Sequence, residues 1–117
     1  MLHDTRHMDV EAMRQAAEYL LGKHDFAAFC GNAKMKKSTV RTIHEISIEE
    51  IGGEIRFTYT GNGFLQNMVR ILTGTLIEVG DGRRAPEELS QILESKNREN
   101  AGYTAPACGL MLMEVHY

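Results

Sequence analysis

From Thr39 onward the chain alternates between apolar and polar positions. Val40, Thr42, His44, Ile46 and Ile48 fall on one face of a strand, and Ile55, Phe57 and Tyr59 on one face of the next. Gly52-Gly53 between them suits the positive φ angles of a tight hairpin turn, and the second strand ends at Gly61-Asn62-Gly63. On either side of this hairpin the period becomes helical. Val10, Met13, Ala17 and Leu20 recur at three- and four-residue steps behind Asp9, a suitable N-cap, and Gly22 is placed to close that helix. The segment from Asp25 to Lys37, with Phe26 and Phe29 as anchors and Gly31-Asn32 after them, reads as an ordered loop.

The stretch from Phe64 to Val79 is apolar nearly all round, which predicts a helix buried on most sides. Gly80 to Gly82 ends it. Pro86 then stands at a first helical position ahead of Glu87 and Glu88, opening a short helix through Leu89, Ile92 and Leu93. Gly109 to Tyr117 reads as a closing strand with apolar residues on both faces, as in a central or doubly covered strand. Helix, loop, hairpin, buried helix, short helix and strand together predict an α+β fold, an antiparallel sheet with helices packed on one face.

Length and composition narrow this little further. The 117 residues suit one domain, and 43% hydrophobic with 25% charged is a globular balance rather than a disordered one. No apolar run approaches the roughly 18 residues of a membrane span. With no apolar leader, and with Cys30 and Cys108 too far apart for a paired-cysteine motif, two reduced thiols in a cytoplasmic protein are expected.

Charge matters more. A net charge of −3 argues mildly against a wholesale nucleic-acid binder, so an RNA partner needs a local basic patch. Lys34, Lys36, Lys37 and Arg41 offer one in an acid-free run, with Arg83-Arg84 a smaller second, although a solvated loop accounts for the run equally well.

Most catalytic chemistries find no support. His3 and His7 have i,i+4 spacing but no third ligand, so no metal site is expected. No Gly-x-Ser-x-Gly motif is present, and neither cysteine has an identifiable activating partner. Gly61-Asn62-Gly63 lacks the lysine of a phosphate loop. Arg70 is the informative residue, a permanently charged guanidinium inside the apolar run Met68-Val69-Arg70-Ile71-Leu72. Either its stem snorkels to the surface, or the guanidinium meets a carboxylate or phosphate. No acid in the chain is an obvious match, so the partner can come from elsewhere.

Gly61-Asn62-Gly63-Phe64-Leu65-Gln66-Asn67-Met68-Val69-Arg70, with Gly74 and Glu78-Val79-Gly80, resembles the C-terminal signature of the tRNA pseudouridine synthase A family. His24-Asp25-Phe26-Ala27-Ala28-Phe29, Thr39-Val40-Arg41-Thr42-Ile43 and Gly109-Leu110-Met111-Leu112 match the same family in the same order, so the resemblance spans essentially residues 1–117. It implies the fold of that family's C-terminal domain and an isomerase that converts uridine to pseudouridine at positions 38, 39 and 40 of the tRNA anticodon arm. No cofactor or metal is implied. The family's catalytic Asp lies in an Arg-Thr-Asp-x-Gly motif. The aspartates here are Asp4, Asp9, Asp25 and Asp81, none in such a motif, so the resemblance implies an N-terminal domain absent from this chain.

Residue by residue, Arg70 matches the arginine that orients the catalytic Asp, and Phe64 and Leu110 match apolar positions of the uracil pocket. Lys36, Lys37 and Arg41 would contact the tRNA backbone. The partners implied are tRNA, the N-terminal domain of the same synthase and a second copy in a homodimer, with no membrane. The alternative is a stand-alone RNA-binding or dimerisation module without catalysis.

Overall fold

The computed structural model describes residues 8–31, 38–51, 54–65, 67–102, 104 and 111–116. Helix α1, Val10–Glu18, starts where expected, since the Asp9 carboxylate accepts the Ala12 N–H at 3.0 Å and so satisfies one open amide of the first turn. It ends at Glu18, before Gly22, because Gly22 instead opens a strand, β1, Gly22–Asp25. That strand replaces the start of the expected loop. A single 3-10 turn, Ala27–Phe29, follows and buries Phe29 together with Phe26.

Strands β2, Val40–Ile51, and β3, Glu54–Gly61, pair antiparallel, and β1 pairs antiparallel with the start of β2. Ile55, Phe57 and Tyr59 face the core as their spacing predicts, all at most 1% exposed. The expected face of β2 is corrected by a bulge. Ile43 pairs with Gly61 and Glu45 with Thr60, so His44 is one residue too many on β2. The alternation therefore changes phase, and Ile43 and Ile48 are both buried while His44 is exposed.

Helix α2, Met68–Gly80, runs across the core, and helix α3, Glu88–Ser95, follows it. Gly80 lies where α1 meets α2: a Cβ there would be 2.8 Å from the Met13 sulfur, and the Gly80 carbonyl accepts the Asp9 N–H at 2.8 Å. Strand β4, Met111–His116, joins the sheet beside β3, giving the order β1-β2-β3-β4. It runs parallel to β3, because the connection passes through α2 and α3 and such a crossover returns a strand in the same direction. The closing strand is thus the outermost of the four rather than a central one. Apolar residues of all three helices and of the β2 and β3 inner faces form one buried cluster, so the helices cover one face of the sheet in an α+β arrangement.

Candidate active site

Three of the sequence blocks converge at one end of the β2–β3 hairpin. His24 pairs with Arg41 and Asp25 with Val40 across β1 and β2. The Asp25 carboxylate accepts the Thr39 hydroxyl in a short hydrogen bond and the Ala27 N–H at 3.1 Å, fixing the start of β2 against the turn behind β1. From the other side, Asn62 docks the chain after β3 onto β2. Its N–H donates to the Thr42 carbonyl at 3.1 Å and its Oδ1 accepts the Thr42 N–H at 3.0 Å. The residue thus behaves like one further rung of the sheet, supplied half by backbone and half by side chain.

Glycine is required beside it. A Cβ on Gly61 would lie 2.6 Å from the Thr42 carbonyl oxygen and 3.2 Å from Cζ of Phe64. The Phe64 ring therefore rests over Gly61, half-buried and packed against the core. The Arg41 stem passes Gly63, where a Cβ would be 3.7 Å from both Cδ and Nε. Arg41 Nη1 donates to the Ser38 carbonyl at 2.8 Å and to the Val40 carbonyl at 2.7 Å, which holds the guanidinium at the mouth of the hairpin. These two bonds involve Nη1, leaving the Nε and Nη2 hydrogens outside them. Phe64 and Arg41 are thus brought to the same turn.

Arg70 occupies a different place from the mid-helix position its sequence neighbours suggest. The helix begins at Met68, not Phe64, because Asn67 takes a left-handed conformation, φ 59°, and interrupts the chain there. Arg70 is consequently the third residue of α2, in the first turn and half-buried. No side chain caps this helix at Asn67, and its first turn contains no acidic residue. The positive end of a helix disfavours a cation by about 0.3–1 kcal/mol, so Arg70 stands where its charge opposes the helix dipole.

The turn that carries Arg70 is tied to its surroundings through buried hydroxyls. Thr73 Oγ1 donates to the Val69 carbonyl at 2.8 Å, and the Tyr59 hydroxyl lies 2.7 Å from the same oxygen. Thr73 has a single hydroxyl hydrogen, so Tyr59 is the donor in that second bond. Burial holds the Tyr59 phenol well above its ordinary pKa, which the Thr73 bond offsets only in part, keeping it a neutral donor.

Lys36, Lys37 and Leu110 lie outside the described residues. Met111, next to Leu110, pairs with Ile55, at the opposite end of β3 from Gly61. The second basic run meets nearby acids: Arg84 pairs with Glu78 at the end of α2 at 2.6 Å, and Arg83 with Asp81 at 2.7 Å. The described aspartates all serve the fold, Asp9 as a cap, Asp25 as a brace and Asp81 as a loop acceptor. Among the described residues no group of three or more His, Cys, Asp or Glu could hold a metal ion, and no helix is long and apolar enough to cross a membrane. Open clefts of about 290 and 420 Å³ lie beside α3, lined by Arg84 and Glu88 in one and by Tyr19 and Pro86 in the other, neither at Arg70 or Phe64.

Sequence reasoning missed Asn62 and the Tyr59–Thr73 pair. The Gly-Asn-Gly turn signal marks the place of Asn62, but its partner is 20 positions upstream and only the strand register brings them together.

The chain thus presents an antiparallel hairpin covered by helices, with a glycine-asparagine turn leading into an arginine-bearing helix. Residues 16–117 match the family model described as tRNA pseudouridine synthase, and the chain belongs to that family. It is similar to tRNA pseudouridine synthase A of Brevibacillus brevis, 54% identical over 110 residues, covering 94% of this chain and 45% of that protein. The same protein of Acetivibrio thermocellus and that of Anoxybacillus flavithermus are each 49% identical over 115 residues, covering 98% of this chain and 47% of theirs. The chain thus spans just under half the length of these relatives.

Proposed function

We propose that this chain is the C-terminal half of a tRNA pseudouridine synthase acting on uridines 38, 39 and 40 of the anticodon arm. In that reaction the N1–C1′ bond breaks, the uracil rotates and C5 bonds to C1′, with the C5 proton leaving to solvent and N1 taking up a proton. The target base must leave the stack to be reached. The observation that carries the reading is the family match over residues 16–117, within which Arg70, half-buried in the first turn of α2, stands where the resemblance has the arginine that orients the catalytic Asp. Its planar fork suits a carboxylate supplied by the other half of the synthase. The catalytic Asp of the N-terminal half is that carboxylate, and Arg70 orients it through a paired hydrogen bond.

Phe64, resting on Gly61 at the hairpin mouth, offers an apolar surface for the uracil. Leu110 joins it on the strength of the family resemblance. Arg41, with Lys36 and Lys37 on the segment leading to it, contacts the tRNA backbone and contributes salt-dependent affinity without reading bases. The chain itself supplies no catalytic acid, and the reaction needs no cofactor. The whole synthase works as a cytoplasmic homodimer in which the N-terminal half completes each site.

The test is Arg70→Ala in the intact synthase, followed by tritium release from C5-tritiated tRNA. Turnover falls on the order of 100-fold or more, the scale for removing one preorganised electrostatic contact, while tRNA affinity changes by less than about threefold. Retained turnover would overturn the role assigned to Arg70.

A further inference from the structure

Two buried hydroxyl clamps hold the part of α2 that bears Arg70. Thr73 and Thr75 are the polar side chains fully buried in the described core. Thr73 donates to the Val69 carbonyl at 2.8 Å and Thr75 to the Ile71 carbonyl at 2.9 Å, the two carbonyls that flank Arg70. A threonine bonded back to its own helix needs no further partner, and the bond is neutral to mildly destabilising for the helix. Here each hydroxyl oxygen also accepts from outside the helix. The donor to Thr73 is the Tyr59 hydroxyl of β3 at 2.7 Å, and the donor to Thr75 is the Gly102 N–H at 2.8 Å. Gly102 reaches that position because it lacks a side chain, since a Cβ there would sit 2.8 Å from the Thr75 Cα.

Valine at positions 73 and 75 would fill nearly the same volume without polar atoms to satisfy, so plain packing does not call for two bridged hydroxyls. The bridges add direction. One runs to the sheet and the other to the loop after α3, and between them they fix both the depth and the rotation of the first turns of α2. We propose that Tyr59, Thr73, Thr75 and Gly102 are positioning residues for Arg70, setting the line along which its guanidinium meets a carboxylate. This rests on the reading of Arg70 given above. A planar fork facing a carboxylate is sensitive to rotation, and a displacement of about 1 Å at a reacting group can cost on the order of 100-fold in rate.

The experiment uses the intact synthase with Tyr59→Phe, Thr73→Val and Thr73→Ser, alone and combined with Arg70→Lys. Steady-state constants for tRNA and the melting temperature are measured for each. Tyr59→Phe and Thr73→Val are expected to lower kcat about tenfold with KM within about twofold, and Thr73→Ser, which keeps the hydroxyl, to restore most of it. In the Arg70→Lys background, where the fork is already lost, Tyr59→Phe should cost little further kcat. A lower melting temperature with unchanged kcat, or full multiplication of the effects in the Arg70→Lys background, would overturn the proposal and leave a packing role. Tyr59→Phe removes one oxygen atom and carries the test by itself if Thr73→Val does not fold. Full activity of Arg70→Ala would instead remove the parent reading, and this one with it.

Discussion

Arg70 sits where local rules disfavour it, at the positive end of α2 and half-buried among apolar neighbours. Read along the sequence it is a charge lost in a hydrophobic run. In the fold it lies in the first turn, at the end of the helix. The oddity was legible from the residues, its proposed role rests on the family resemblance, and its placement needed the structure, because a left-handed Asn67 is what shortens the helix. Arg41 poses the opposite case, since its position near the lysines was visible while its two carbonyl bonds were not. Those bonds restrict the guanidinium in advance, which would lower the entropy lost in the proposed phosphate contact. Arg41→Ala in the intact synthase should weaken tRNA binding and flatten the dependence of log affinity on log salt by roughly 0.7–1, the amount of one phosphate contact. An unchanged slope in a salt titration would assign Arg41 to the fold alone.

At the scale of elements, the hairpin shows what periodicity does and does not convey. The inner face of β3 follows from alternation at Ile55, Phe57 and Tyr59, because each inward side chain faces the helices. The inner face of β2 does not, because His44 is an extra residue opposite β3 and a bulge depends on the partner strand as much as on its own sequence. The direction of β4 was hidden for a related reason: strand pattern gives burial, while the crossover through two helices sets polarity. Helix α1 was readable from its cap and its stripe, since both are local. The turn after β3 lies between these cases. Its glycines were evident, yet only the structure gives Gly61 its contact with the Thr42 carbonyl. Gly61→Ala should therefore cost roughly 1–3 kcal/mol, as overpacking against backbone does, with Phe64 displaced from its seat. Urea denaturation of the variant measures this, and a loss below about 0.5 kcal/mol would mean that the turn yields freely.

For the whole molecule, the described aspartates Asp9, Asp25 and Asp81 are all occupied in capping, bracing or closing loops. This agrees with a chain that spans just under half of its relatives, at 45% of one and 47% of two others. The fold supplies a helix end bearing Arg70, an apolar seat at the hairpin mouth and the Arg41 cation beside it, the parts on which the proposed function rests. The two clefts beside α3 lie apart from these parts. The central claim is that this chain orients a catalytic aspartate but does not contain it, and tritium release from C5-tritiated tRNA by the 117-residue chain alone tests it most directly. Release no faster than from tRNA without protein is the predicted result, and sustained turnover would contradict the account by requiring a catalytic group within the chain.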